Sequence, residues 1–266
     1  MTLHSGLRNL HDMLVPVIPP PIMLWAEEKY LLRFGEPEIG LLELLCWPDR
    51  EAIDIGGNEG CYSLVLRKYA QSVTAFEPIP WMADQLIRKF GASIIVRKIA
   101  LSSSPGKAIL HIPLLDGKIV TALATLSQTP FTGKLTKHDI VVKTARLDDV
   151  YDGDVGFIKI DVEGHEEAVL EGARSTLARN RPRMLIEIEE RHAPGAFARI
   201  VRFFAGQDYQ GYFLYQGRLR PISQFDHTAM QHAEDIARGG IYINNFIFLP
   251  EEDAPEVVAR ASRLVS

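Results

Sequence analysis

Ala52-Ile53-Asp54-Ile55-Gly56-Gly57-Asn58-Glu59-Gly60 is the stretch on which the fold turns. An apolar run of strand length breaks into a glycine-rich turn, and the pattern from Tyr62 to Tyr69 beyond it is helical. Glycines at such a turn let the backbone reach positive φ and let a ligand approach the main chain closely. The flanking acids narrow the choice of ligand. A turn that cradles a pyrophosphate favours a neutral or basic lining, because the helix N-terminus attracts anions. Asp54 and Glu59 bring negative charge instead, which suits a ligand with a cationic end.

Val73-Thr74-Ala75-Phe76-Glu77-Pro78 reads as the next strand, closed by an acid that Pro78 holds out of further pairing. An acid at the tip of the second strand, about 20 residues past the glycine turn, can accept hydrogen bonds from both hydroxyls of a ribose. Glu77 is therefore expected on the rim of an adenosine site. Folds that bind NAD use the same device, and the glycine register separates the two cases. The dinucleotide fingerprint is Gly-x-Gly-x-x-Gly, whereas the glycines here stand at 56, 57 and 60. S-adenosylmethionine, with its ammonium and sulfonium, is the favoured ligand. An NAD(P)-dependent oxidoreductase is the alternative.

A chain of 266 residues with 47% hydrophobic content is long enough for one large domain with a buried core. Helical and strand patterns alternate along its middle, which argues for an α/β fold with a mostly parallel sheet. The formal charge is −5, with no basic run of the kind that binds nucleic acid. Cys46 and Cys61 form neither a metal-ligand spacing nor a disulfide framework, so a reducing cytoplasm is the expected setting. Pro16, Pro19, Pro20 and Pro21 interrupt the apolar stretch from Met13 to Trp25 and argue against a membrane span. A signal peptide's basic start and cleavage site are not seen.

Residues 1–50 read as a helical cap, with patterns at 2–14, 23–34 and 39–46 around a knot of prolines. The core, 51–250, then runs strand 51–55, helix 60–70, strand 72–77, helix 80–90 and strand 93–97. A β-rich insertion follows, with strand patterns at 107–112 and 140–145. Strand 156–162, helix 165–178, strand 183–188, helix 195–206 and strand 209–215 come next, then a long loop and a last strand over 241–249. Residues 251–266 read as a surface helix.

The segment from Phe157 to Glu166 (Phe-Ile-Lys-Ile-Asp-Val-Glu-Gly-His-Glu) is the richest in chemistry. A core parallel strand is buried on both faces, so Lys159 needs a carboxylate partner. Asp161, two residues on, shares its face. Asp161 also stands where the strand leaves the sheet, and in open α/β sheets ligands bind at the carboxyl ends of the strands. Asp54, Glu77, Asp161 and Glu187 or Glu189 all fall at such ends. His165 is the group here whose ordinary pKa lies near neutrality, so it serves as a general base or as a cap of the following helix. His192 is a second candidate on the same argument. His227 and His232 belong to the long loop.

With these residues in hand, the chain resembles the FkbM-type methyltransferases, a family of class I enzymes dependent on S-adenosylmethionine. The stretches that carry the resemblance are 54–63, Phe76-Glu77-Pro78, Arg146-Leu147-Asp148-Asp149, 157–166, Glu187 and Asn244-Asn245-Phe246. Together they span about 50–250. The Lys-Ile-Asp-Val-Glu-Gly-His-Glu string is specific; the glycine turn alone is not. Two departures stand out: Gly57 occupies a usual alanine position, and Lys98-Ile99-Ala100 lacks the acid often found near the adenine. The resemblance implies a Rossmann-like fold whose mostly parallel sheet has helices on both faces and an antiparallel C-terminal strand. It implies cofactor contacts from Asp54, Gly56, Gly57, Asn58, Gly60, Tyr62, Ser63, Glu77, Pro78, Ala100 and Asp161. It further implies O-methylation of a sugar, polysaccharide or polyketide-like acceptor, with Asp161 or His165 as base and Glu163 in reserve. No metal, nucleic acid or membrane partner is expected. A catalytically idle cofactor-binding protein is a third possibility.

Overall fold

The computed structural model describes residues 20–115, 117–126, 136–232, 234 and 240–264. The helical pattern at 2–14 and Pro16 and Pro19 of the proline knot lie outside them. In chain order the main elements are α1 (Pro20–Phe34), β1 (Glu51–Ile55), α2 (Cys61–Tyr69), β2 (Val73–Phe76), α3 (Pro80–Phe90) and β3 (Ile95–Arg97). β4 (Ala100–Leu101), β5 (Gly106–Leu115), β6 (Lys118–Ile119) and β7 (Thr136–Ala145) follow. The second half holds β8 (Val155–Ile160), α4 (Glu166–Glu171), α5 (Arg174–Asn180), β9 (Arg183–Glu187) and α6 (Ala196–Ala205). β10 (Tyr209–Tyr215), β11 (Arg218–Pro221), β12 (Asn245–Pro250) and α7 (Ala254–Leu264) complete it.

The continuous apolar runs fall in the middle of the large sheet. Every residue of β8 is buried, as is nearly all of β1 and β2, which is the signature of strands covered on both faces. The large sheet is ordered β11-β10-β12-β9-β8-β1-β2-β3. β3, β2, β1, β8 and β9 pair in parallel. β12 runs against both of its neighbours, and β11 pairs antiparallel to β10. The chain therefore leaves β1 toward one edge, returns, and leaves toward the other. That reversal of strand order lies between β1 and β8, and it opens a crevice beyond their carboxyl ends.

Helix boundaries follow local chemistry. α3 has Pro80 in its first turn, where the missing N–H costs nothing. It buries Met82, Ala83, Leu86 and Phe90 at helical spacing and ends at Gly91. Residues 31–46 pack against α2 and α7: Leu31, Ile39, Leu42 and Leu45 share one apolar cluster with Leu64, Val65, Val257 and Ala261. A second sheet, β4-β7-β5-β6, forms the insertion. Its inner face buries Leu110, Ile112 and Val142 against Ile79 and Met82 of the core. No helix among the described residues is long and apolar enough to cross a membrane.

Several boundaries differ from the sequence reading. The single helix expected over 165–178 is two helices. A side chain at Gly172 would place its Cβ 2.1 Å from the Ser102 carbonyl oxygen, so the chain passes close there and the helix breaks. Asp148 caps the second piece, accepting from the Ser175 and Thr176 backbone N–H groups. The pattern at 39–46 is a 3₁₀ turn, Pro37–Leu41, followed by a single helical turn, Leu42–Leu45. The last strand begins at Asn245 rather than 241. The long loop after β10 contains β11, joined by a turn at Gln216 and Gly217, both at positive φ, the conformation that a two-residue hairpin requires.

Candidate active site

Two turns meet at the crevice. Asp161 N–H donates to the Ile55 carbonyl, and Gly56 N–H to the Phe76 carbonyl, so the chain ends of β8, β1 and β2 are tied together. Gly56 has φ +89, and a Cβ there would lie 1.9 Å from the Asp161 carbonyl oxygen. At Gly60 a Cβ would strike Phe90 and Leu86. These two glycines are thus required by the protein's own packing, a sufficient reason for them apart from any ligand. Gly57 is less confined, its nearest neighbour being Leu86 Cδ1 at 3.1 Å.

Glu77 is not on an open rim as its strand-tip position implied: it is 3% exposed. Its Oε2 accepts from Asn58 N–H and its Oε1 from Ile79 N–H, each at 2.8 Å. Burial pushes its pKa up to about 7 against the pull of those two donors. Each oxygen still has a second acceptor position. The Asn58 side chain meets Thr121 of the insertion at 3.3 Å, and Thr125 donates to the Glu163 carbonyl. The insertion therefore lies against both turns.

Lys159 is 1% exposed, with Nζ 3.2 Å from Asp161 Oδ2 and 4.8 Å from the centre of the Tyr62 ring. Burial alone lowers its pKa, but the charges of Asp161, Glu187, Glu36 and Asp54 outweigh that and hold it above the usual range. The expected ion pair with Asp161 is present. Asp54 is buried, accepts from Ser63 Oγ at 2.6 Å, and has its pKa raised by burial. Tyr62 donates to Glu36 Oε2, which also accepts from Asn245 Nδ2. Glu36 and Asn245 come from opposite ends of the chain, and sequence reasoning gave neither a role in the site.

The other expected residues divide. Ala100 is buried in the second sheet against Ile79 and Met82. His165 occupies the N-cap position of α4, yet its side chain makes no capping bond. Its Nε2 lies 3.0 Å from Ser102 Oγ, and burial lowers its pKa. Glu163, at φ +52, sits with its Oε2 3.0 Å from His192 Nε2. His192 lies equally close to Glu189 Oε2. Burial alone would lower the His192 pKa, but the two carboxylates raise it to about 9. His227 and His232 are exposed. A groove of about 500 Å³ lies elsewhere, lined by Trp25, Arg67, Lys89 and Phe90 among others. The acids converge at the strand tips, so chemistry rather than volume locates the site.

An open sheet with this strand order, and acids at the tips of β1, β2 and β8, defines a Rossmann-like nucleoside-binding fold of the class I methyltransferase kind. The methyltransferase FkbM domain matches residues 54–212, and the chain belongs to that family. A crystal structure of methyltransferase FkbM from Methylobacillus flagellatus KT is similar with a TM-score of 0.50 at 17% identity. The match covers 82% of this chain and 47% of that one, so this chain spans about half of its length. An O-methyltransferase from Bacillus cereus in complex with SAH gives 0.46 at 12% identity, covering 90% and 96% of the two chains. An rRNA methylase from Streptococcus thermophilus gives 0.42 at 10%, covering 80% and 92%. No curated protein matches in sequence.

The family's cofactor is S-adenosylmethionine, and the groups present fit it. Glu77 retains acceptor capacity for a ribose. Asp54, Asp161, Glu36 and Glu187 surround one lysine, so carboxyl groups outnumber cations here, and a cationic methionine end would favour the ionised forms of Asp54 and Glu187, whose pKa burial raises.

Proposed function

We propose that this chain is an S-adenosylmethionine-dependent O-methyltransferase acting on a hydroxyl of a sugar, polysaccharide or polyketide-like product. The observation that carries the reading is the convergence of Asp54, Glu77 and Asp161 where the turn after β1 meets the turn after β8. When bound, the cofactor supplies a methyl group on a positively charged sulfur. Glu77 holds the ribose beside Pro78, with the backbone N–H groups of Asn58 and Ile79 fixing its carboxylate. Gly56, Gly57 and Gly60 shape the turn, and Ser63 and Tyr62 brace Asp54 and Glu36. Of the cap read over 1–50, the described residues pack on the 51–250 core, and α7 covers the sheet from the other end of the chain.

A hydroxyl loses its proton as its oxygen is alkylated, and a positioned base accelerates that step about 100- to 10,000-fold. We assign Asp161 as this base. Its side chain is 33% exposed, and Lys159 fixes its orientation from the buried side. His165 is a positioning residue, held by Ser102. Glu163 and His192 form the acceptor side of the crevice. A mouth lined with carboxylates on a chain of charge −5 disfavours a phosphate backbone, which supports a polyhydroxylated acceptor. The free thiols of Cys46 and Cys61 suit a reducing cytoplasm.

The test is transfer of labelled methyl from S-adenosylmethionine to a panel of glycans and hydroxylated metabolites. Base-stable label in an ether is expected, cut about 100- to 10,000-fold by Asp161→Asn. Thermal stabilisation by NAD with none by S-adenosylhomocysteine would overturn the reading in favour of an oxidoreductase.

A further inference from the structure

Neighbouring parallel strands bring Glu163, just past β8, together with Glu189 and His192, just past β9. His192 Nε2 lies 3.0 Å from Glu163 Oε2 and 3.0 Å from Glu189 Oε2. One donor atom from each of the three residues falls within 4.8 Å of the others. The side chains are 12%, 4% and 14% exposed, in the order Glu163, Glu189, His192. The buried Nε2 approaches both oxygens without hydrogen-bond geometry to either. A ring N–H is confined to the ring plane, so a proton there serves neither carboxylate well.

A six-coordinate ion with bonds of about 2.1 Å holds neighbouring ligands about 3.0 Å apart, the distance from His192 to each of the two carboxylates here; a tetrahedral ion would spread them to about 3.4 Å. One imidazole and two carboxylates with no thiolate suit manganese or ferrous iron. Arg191 holds Glu189 through Oε2 and so orients it.

We propose that Glu163, Glu189 and His192 form a divalent-cation site on the acceptor side of the crevice. The sequence reading expected no metal, because Glu163 and Glu189 are brought together only by strand pairing. On the methyltransferase reading above, the open coordination positions take adjacent hydroxyls of the acceptor and turn one toward Asp161. Cation binding itself does not depend on that reading.

The test is a titration of the full chain with Mn²⁺ followed by electron paramagnetic resonance, with S-adenosylhomocysteine affinity measured on the same samples. Wild type should take up one Mn²⁺. His192→Ala and the isosteric Glu163→Gln should each weaken uptake about tenfold or more, with circular dichroism and S-adenosylhomocysteine affinity unchanged. Should His192→Ala fail to fold, Glu163→Gln carries the comparison. Absence of uptake by wild type at millimolar Mn²⁺, or uptake that Glu163→Gln retains in full, would overturn the site and leave His192 as an imidazolium bridging two acids. Mn²⁺ uptake without S-adenosylhomocysteine binding would sustain the metal and contradict the methyltransferase reading instead.

Discussion

Replacing Glu77 by alanine perturbs two things at once, and their separation tests the adenosine site. The carboxylate accepts two backbone N–H groups, from Asn58 and Ile79, each at 2.8 Å. Glu77 is 3% exposed, so water replaces those acceptors poorly. Each orphaned donor costs about 1–3 kcal/mol, or roughly 2–6 kcal/mol for the pair. At about 2–4 °C per kcal/mol for a domain near this size, Tm should fall by roughly 4–24 °C. If the same carboxylate receives the ribose hydroxyls, cofactor affinity should fall by a further 1.5–3 kcal/mol, about 10- to 150-fold. Calorimetry with S-adenosylhomocysteine on the folded variant, well below its Tm, isolates the second effect. A variant with a lowered Tm and wild-type affinity would refute the ribose assignment and leave Glu77 as a brace for the turn.

Four further outcomes are expected. S-adenosylhomocysteine affinity should rise between pH 6 and 8, because the ribose hydroxyls donate to ionised Glu77, whose pKa burial has raised to about 7. The sign follows from linkage: an acid with a raised folded pKa contributes less stability as pH climbs through that value, and the ligand that favours its charged form expels the proton. Flat affinity across that range, or a slope that persists in Glu77→Gln, contradicts it. Gly56→Ala should lose soluble protein or unfold in much less urea than wild type, since its Cβ would meet the Asp161 carbonyl at 1.9 Å and its φ is +89. Gly57→Ala, with 3.1 Å to a mobile leucine methyl, should cost less than about 1.5 kcal/mol. His165→Ala should lower Tm while leaving kcat within a few-fold of wild type; a loss of about 100-fold or more at unchanged Tm would make His165 the base.

Much of this architecture was legible from the chain. β1, β2 and β8 announce themselves as apolar runs broken by Gly56, Pro78 and Asp161, because doubly covered strands need little polar surface. The Lys159–Asp161 pair follows from period-two geometry and the cost of an unpaired buried charge. What strand pairing alone decides was not legible. Glu36 and Asn245 reach the Tyr62 side of the site from opposite ends of the chain. His165 and His192 drew the same argument from their pKa, yet His165 faces Ser102 while His192 lies between Glu163 and Glu189. Only the register of β8 beside β9 distinguishes them. The break at Gly172 was likewise set by a distant backbone, that of Ser102. The Gln216-Gly217 turn before β11 was a local signal, readable as a hairpin but passed over within a long loop.

The central claim is that the crevice between β1 and β8 binds the cofactor with its adenosine toward β2. A crystal structure of the chain soaked with S-adenosylhomocysteine tests it most directly. Both ribose hydroxyls should lie within hydrogen-bond distance of the Glu77 carboxylate, with the amino-acid end beside Gly56 and Asp161. Ligand density in another part of the molecule, with the Glu77 carboxylate still bound only to Asn58 and Ile79, would contradict the account.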